Sequence, residues 1–177
     1  MRAHDRERVQ RDARGVSTGD ALRGLHDGSR TGEREQTVLT PTLVLDPLRS
    51  VWGRIAFDPC APPGKSLVDA EHEARLPLNG LAFRWIDRTY CNPPFVDLAP
   101  WLAPQIESGA RVAWLVPVRP HRRWWRTWAR TLDTIVFLNP FAFVGHTQTF
   151  PAPLCVGYRG HDAAQIVEAY RDLGEPL

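Results

Sequence analysis

The chain is poor in cysteine: its three, Cys60, Cys91 and Cys155, are odd in number and widely spaced among 177 residues. With no C-x-x-C pair, they argue against a disulfide framework and against a cysteine zinc site. The six histidines show no H-x-x-x-H or H-E-x-x-H spacing, so the sequence implies no metal. Lysine is almost missing, with Lys65 the only one, and the other basic residues are arginine. Arginine is the better reader of phosphates and base edges, although a GC-rich genome would produce the same bias. No apolar run reaches bilayer-spanning length, and the charged N-terminal stretch lacks the apolar segment of a signal peptide. The expectation is a cytoplasmic protein with no membrane partner. A net charge of +2 points to no partner class by itself.

What is present supports a core. An apolar fraction of 43% with seven tryptophans suits one domain. Residues 1–36 alternate Arg with Asp and Glu and hold hardly any aliphatic side chains. Such a stretch cannot offset its ordering entropy by burial, so it is expected to be a mobile charged segment. Residues 37–177 are expected to form a single folded domain.

Thr40 at an N-cap and Pro41 at the first helical position predict a helix, with Leu43, Val44, Pro47, Leu48 and Val51 at helical spacing through Trp52. Pro47 predicts that it is short or kinked. Strands are predicted at 54–58, 88–91, 111–118, 134–138 and 154–158, and helices at 96–108, 121–132 and 162–173. The run Val112-Ala113-Trp114-Leu115-Val116 reads as a strand buried on both faces. Residues 60–79, rich in proline and charge, show no period. Strands alternating with helices predict an α/β fold with an open, mostly parallel sheet and flanking helices. In such sheets ligands bind outside the carboxyl ends of the strands.

Two candidate sites fall at such ends: Asp58-Pro59-Cys60-Ala61 and Asn92-Pro93-Pro94-Phe95. The two prolines of the second fix φ and remove two backbone donors, so a rigid turn must follow the strand. That turn presents an amide, a free carbonyl and an aromatic ring. Asn92 and the Pro93 carbonyl can each accept one N–H of an exocyclic amine while Phe95 lies against the base. No histidine or paired carboxylate stands beside the motif in sequence, and amine methylation requires no general base of shifted pKa. Asn-Pro is also an ordinary turn signal, so the motif draws its weight from its place after a strand.

Read in order, these residues resemble the phage-type DNA N6-adenine methyltransferases. The resemblance runs from about residue 40 to 158: Thr40-Pro41, Phe57-Asp58-Pro59-Cys60-Ala61, Asn79-Gly80-Leu81 before Trp85, Asn92-Pro93-Pro94-Phe95, Trp101, Leu115-Val116-Pro117 with Arg119, Trp124-Trp125 and Phe150-Pro151-Ala152-Pro153-Leu154. It implies a Rossmann-like class I methyltransferase that uses S-adenosylmethionine to methylate the N6 amine of adenine in DNA, in the host cytoplasm if the chain is phage-encoded. By the family pattern Thr40 and Pro41 would lie near the cofactor's methionine part. Asp58, Pro59, Cys60 and Ala61 would line its pocket, and Asn79 and Leu81 would sit near its adenine. Asn92, Pro93, Pro94 and Phe95 would form the catalytic motif that holds a flipped base. The chain departs from the pattern at Asn79, where the family has Asp, and at Asn139-Pro140, where it has Gly-Arg.

Arg119, Arg122, Arg123 and Arg126 are the candidate DNA contacts. They belong to a basic cluster interleaved with Trp124, Trp125 and Trp128, with no acidic residue from 108 to 132. A solvated helix face over core tryptophans explains the same pattern. Asp69, Glu71 and Glu73 follow the first strand, where related folds place a ribose-binding carboxylate, but no clear second strand precedes them. Methylation of RNA or of a protein glutamine amide, and a non-catalytic DNA-binding relic of the fold, remain alternatives.

Overall fold

A computed structural model describes residues 38–75 and 78–177; the charged segment 1–36 lies outside the described residues. Helix α1 (Thr42–Trp52) leads into strands β1 (Phe57–Asp58), β2 (His72–Glu73), β3 (Thr89–Cys91) and β4 (Val112–Pro117). Helix α2 (Arg123–Ala129), strands β5 (Thr134–Leu138) and β6 (Leu154–Arg159), helix α3 (Ala163–Tyr170) and strand β7 (Gly174–Pro176) follow. Short 3₁₀ turns occupy Gly80–Ala82 and Ala99–Leu102.

The strands form one sheet in the order β2-β1-β3-β4-β6-β5-β7. The four strands from β2 to β4 run parallel. Strand β6 is antiparallel to both β4 and β5, and β7 is antiparallel to β5. The α/β class is therefore observed, but the sheet is mixed rather than mostly parallel. The reason lies in the connections. A parallel neighbour needs a crossover, usually helical, and no helix intervenes between β5 and β6.

Strand β4 lies at the centre, with all six residues buried. Its side chains alternate between faces, as the period of two requires. Ala113 and Leu115 join the cluster of α1 and α3, with Leu45, Leu48, Ile166 and Tyr170. Val112, Trp114 and Val116 join the opposite cluster with Trp85, Trp125 and Trp128. Trp128 stands directly on Gly157 of β6, where an added Cβ would lie 2.3 Å from the indole. Each such fully buried side chain contributes on the order of 2 kcal/mol.

Several expected boundaries change. Helix α1 starts at Thr42, with Pro41 as its cap residue and no side-chain cap bond, so Thr40 is not an N-cap. The helix continues past Pro47 to Trp52. The expected strand at 54–58 is reduced to Phe57–Asp58. The expected helix at 96–108 is only the turn Ala99–Leu102, because Pro100 and Pro104 remove donors that a longer helix needs. Strands β2 and β7 were not expected; both are short, and neither carries an apolar alternation.

At the N-terminal end of β4 an ion-pair network ties sheet and helices together. Arg111 donates to Asp87 through Nε (2.9 Å) and Nη2 (2.6 Å), and through Nη1 to Asp162 (3.1 Å). Tyr158 donates its hydroxyl to Asp162 and accepts the indole N–H of Trp52 at 3.3 Å. All of this lies opposite the rim on which the candidate site is built.

Candidate functional site

Strands β1 and β3 are parallel neighbours, with Phe57 opposite Thr89. Asp58 ends β1 and Asn92 directly follows β3, so both arrive at the same rim. Because β2 flanks β1 on its other side, the strand order reverses between β1 and β3. That is a topological switch point, where open α/β sheets form their binding crevice.

A small cavity at this point is lined by Thr40, Asp58, Cys60, Ser66 and Asn92, among others. The Thr40 hydroxyl lies 3.0 Å from the Tyr90 hydroxyl and accepts a hydrogen bond from Asn92 Nδ2 at 3.2 Å. Asp58 is only 2% exposed, and its Oδ1 accepts the Cys60 N–H at 2.9 Å. Burial pushes the Asp58 carboxyl up to about 7; Glu73 adds to the rise, and the Cys60 N–H and Arg75 oppose it. A carboxylate of shifted pKa thus stands beside the Asn92 motif in space although none does in sequence. Burial likewise pushes the Cys60 thiol up to about 12, so it is no nucleophile at neutral pH.

Cys60 also lines a neighbouring, largely apolar cavity of about 220 Å³, together with Pro59, Ala61, Ala74, Asn79, Gly80 and Trp101. Its two walls touch through Gly80, where a Cβ would fall 1.8 Å from the Pro59 carbonyl oxygen. Only glycine permits that approach. The indole N–H of Trp85 donates to the Gly80 carbonyl at 3.1 Å and holds the turn in place. Asn79 caps this turn, its Oδ1 accepting the Leu81 N–H at 3.0 Å. Leu81 itself packs on the tryptophan-rich cluster rather than lining the cavity.

Arg75 organises the remaining wall. Its guanidinium donates to the Pro62 and Gly64 carbonyls and to Glu73, clamping the loop after β1 onto the end of β2. Glu73 does close a strand, paired with Asp58 in register, so a carboxylate sits at the second strand's end after all. Its partner is Arg75. Glu71 instead pairs with Arg88 at 3.7 Å, and Asp69 is exposed on the connecting loop.

Beyond Asn92, the buried Pro93 and Pro94 carry the chain to a third cavity, of about 330 Å³. Phe95, Pro117, Arg119, Arg122, Trp124 and Phe150 line it. Phe95 meets Phe150 edge to face, with ring centroids 5.4 Å apart. The four candidate DNA contacts are therefore divided. Arg119 and Arg122 share the cavity of Phe95, whereas Arg123 borders a separate groove with Trp114 and Trp128. Arg126 is exposed on α2 and borders neither cavity. Arg122 is the cap residue of α2, with extended backbone, and its carbonyl accepts the Arg126 N–H at 3.3 Å. Trp125 and Trp128 are buried in the core. Pro41, also buried, closes the start of α1.

No protein family, no curated protein and no solved structure matches this chain. Among the described residues no group of three or more His, Cys, Asp or Glu side chains is placed to hold a metal. No helix among them is long and apolar enough to cross a membrane.

Sequence reading missed Arg75, Gly80 as a contact point, and the closeness of Thr40 to Asn92. The glycine had a usable signal, since it stands between two residues already singled out. Arg75 had none, because the surrounding segment lacks any period.

Proposed function

We propose that this chain is an S-adenosylmethionine-dependent methyltransferase acting on the N6 amine of adenine in DNA, built on a Rossmann-like class I methyltransferase fold. One observation carries the reading: Asp58 and Asn92 share a cavity at the switch point, between an apolar cavity on one side and an arginine-lined cavity on the other. The residues present suit the cofactor. The buried Asp58 carboxylate offers a countercharge for a cation. The cavity walled by Pro59, Ala61, Asn79 and Trp101 is apolar, and Gly80 lets its two loops close together. At about 220 Å³ it is smaller than the ~300–1,000 Å³ of a drug-sized ligand site, so it suits the purine part alone.

Bound S-adenosylmethionine supplies an electrophilic methyl group on a sulfonium. The chain's own task is to hold a poor nucleophile. The lone pair of an adenine amine is delocalised into its ring; acceptors on both of its hydrogens favour rehybridisation and offset the positive charge that develops on nitrogen. Asn92 Oδ1 and the Pro93 carbonyl are those acceptors. Phe95 offers a face for the flipped base, replacing part of its lost stacking. Arg119 and Arg122 supply cationic donors beside that ring for the phosphates of the displaced strand.

The test is incubation of full-length protein with adenine-containing DNA and methyl-labelled cofactor, followed by nucleoside analysis. The expected product is N6-methyladenine. Label found only in RNA or in protein glutamine would redirect the substrate assignment, and no label in any of the three would overturn the enzymatic reading.

A further inference from the structure

We propose that Thr40 is a positioning residue for Asn92, fixing which face of the amide the site presents. The inference rests on the methyltransferase reading of Asn92 and adds to it a residue on a different element. A carboxamide has nearly the same shape in both orientations, but one offers an acceptor and the other a donor. Facing an amine N–H, the donor orientation is repulsive. Asn92 therefore needs its amide fixed, not merely nearby.

Thr40 does this. Its Oγ1 accepts the Nδ2 hydrogen of Asn92 at 3.2 Å, leaving Oδ1 free of any hydrogen bond to the described residues. Thr40 is 4% exposed and its hydroxyl is anchored in turn at 3.0 Å by that of Tyr90, which is fully buried on β3 two residues before Asn92. Burial holds the Tyr90 hydroxyl neutral by raising its pKa well above the usual phenol value. The backbone around Thr40 is secured independently. The Val144 N–H donates to the Leu39 carbonyl at 3.1 Å, and the Val44 N–H donates to the Pro41 carbonyl at 3.0 Å as α1 begins. With its proton directed to the Tyr90 oxygen, the Thr40 hydroxyl offers only lone pairs to Asn92, and in the proposed arrangement these set the amide with its NH₂ toward Thr40. The consequence for substrate is that the site favours a planar N–H donor over an acceptor atom in the same place.

The experiment compares full-length wild type with Thr40→Val, Thr40→Ser and, as a variant that leaves Thr40 intact, Tyr90→Phe. Turnover is read on adenine-containing DNA, and cofactor affinity by calorimetry with S-adenosylhomocysteine. Thr40→Val is expected to lower kcat by about 10- to 100-fold, the usual scale for loss of orientation, and by more than it weakens cofactor binding, since Thr40 also lies on the expected methionine side of the cofactor. Thr40→Ser restores most of the turnover, and Tyr90→Phe gives an intermediate loss, which keeps the test open if Thr40→Val fails to fold. The side-chain NH₂ resonances of Asn92, identified by their disappearance in Asn92→Ala, should move in Thr40→Val and stay in Thr40→Ser. A Thr40→Val enzyme with unchanged kcat, or with weakened cofactor binding alone, overturns the proposal. Wild type inactive on every substrate would instead sink the methyltransferase reading, while the NH₂ resonances still decide whether Thr40 holds the amide.

Discussion

Asp58 and Asn92, distant in the chain, line one cavity because β1 and β3 are parallel neighbours that end at the same rim. The pair joins a buried carboxylate to an amide whose nitrogen is already engaged. On the proposed reading, these two groups would face a sulfonium and an amine side by side.

Asn92 is expected to act as an acceptor. Asn92→Ala should lower kcat by about 100-fold or more, the scale of a lost transition-state hydrogen bond, and leave cofactor binding nearly intact. Asn92→Asp should be milder, because a carboxylate keeps an acceptor oxygen toward the amine in either orientation. Steady-state kinetics with parallel cofactor titrations will check this. Equal loss in the two variants would mean that Asn92 serves only to shape the turn.

Asp58 predicts a pH dependence whose sign follows from its raised pKa. Between its ordinary value of 3.8 and about 7, the folded chain keeps a proton that the unfolded chain has released. Stability of the ligand-free protein should thus fall as pH rises through that window and level off above it. Asp58→Asn should flatten this slope. The proposed cationic cofactor would favour the carboxylate, so its affinity should rise with pH up to about 7 and its binding should release a proton below that. Calorimetry in buffers of different ionisation enthalpy measures the proton directly. A pH-independent affinity would remove Asp58 as the cation's partner.

Gly80→Ala should damage the apolar cavity more than the fold. The added Cβ would stand 1.8 Å from the Pro59 oxygen, backbone against backbone, so the two loops must separate. Cofactor affinity is expected to fall at least about tenfold, a loss of only ~1.4 kcal/mol. Binding and thermal unfolding measured on the same sample distinguish this local effect from general destabilisation.

Arg111→Met tests the opposite end of the sheet. It leaves Asp162 buried with a single side-chain donor, Tyr158, and leaves Asp87 with the backbone N–H of residue 111 and the more distant Arg88. Breaking such a pair costs about 3 kcal/mol or more, which urea unfolding would show as a lower midpoint. Because the network lies far from the switch point, methyl transfer by the folded fraction should be unaffected.

The central strand, the α/β class and the two rim motifs were legible in the sequence. Val112 to Val116 is a short apolar run rich in valine, as a strand buried on both faces shows, and consecutive prolines end a strand. The expected 134–138 and 154–158 strands appear in the fold, the second extended by one residue. The direction of β6 was not read, although the missing helix before it was a cue. Strands β1 and β2 are two residues each, too short for any periodicity to register.

What the sequence determined by itself was local: which stretches must be buried, where prolines end them, and which side chains could meet an amine or a cation. Only the tertiary structure decided that Thr40, Asp58 and Asn92 converge, that Arg75 clamps the cavity loop, and that Arg119 and Arg122 part company with Arg123 and Arg126. The physical reason is that strand order and direction follow from burial over the whole sheet and from its connections. No short stretch of residues encodes its neighbour across that sheet.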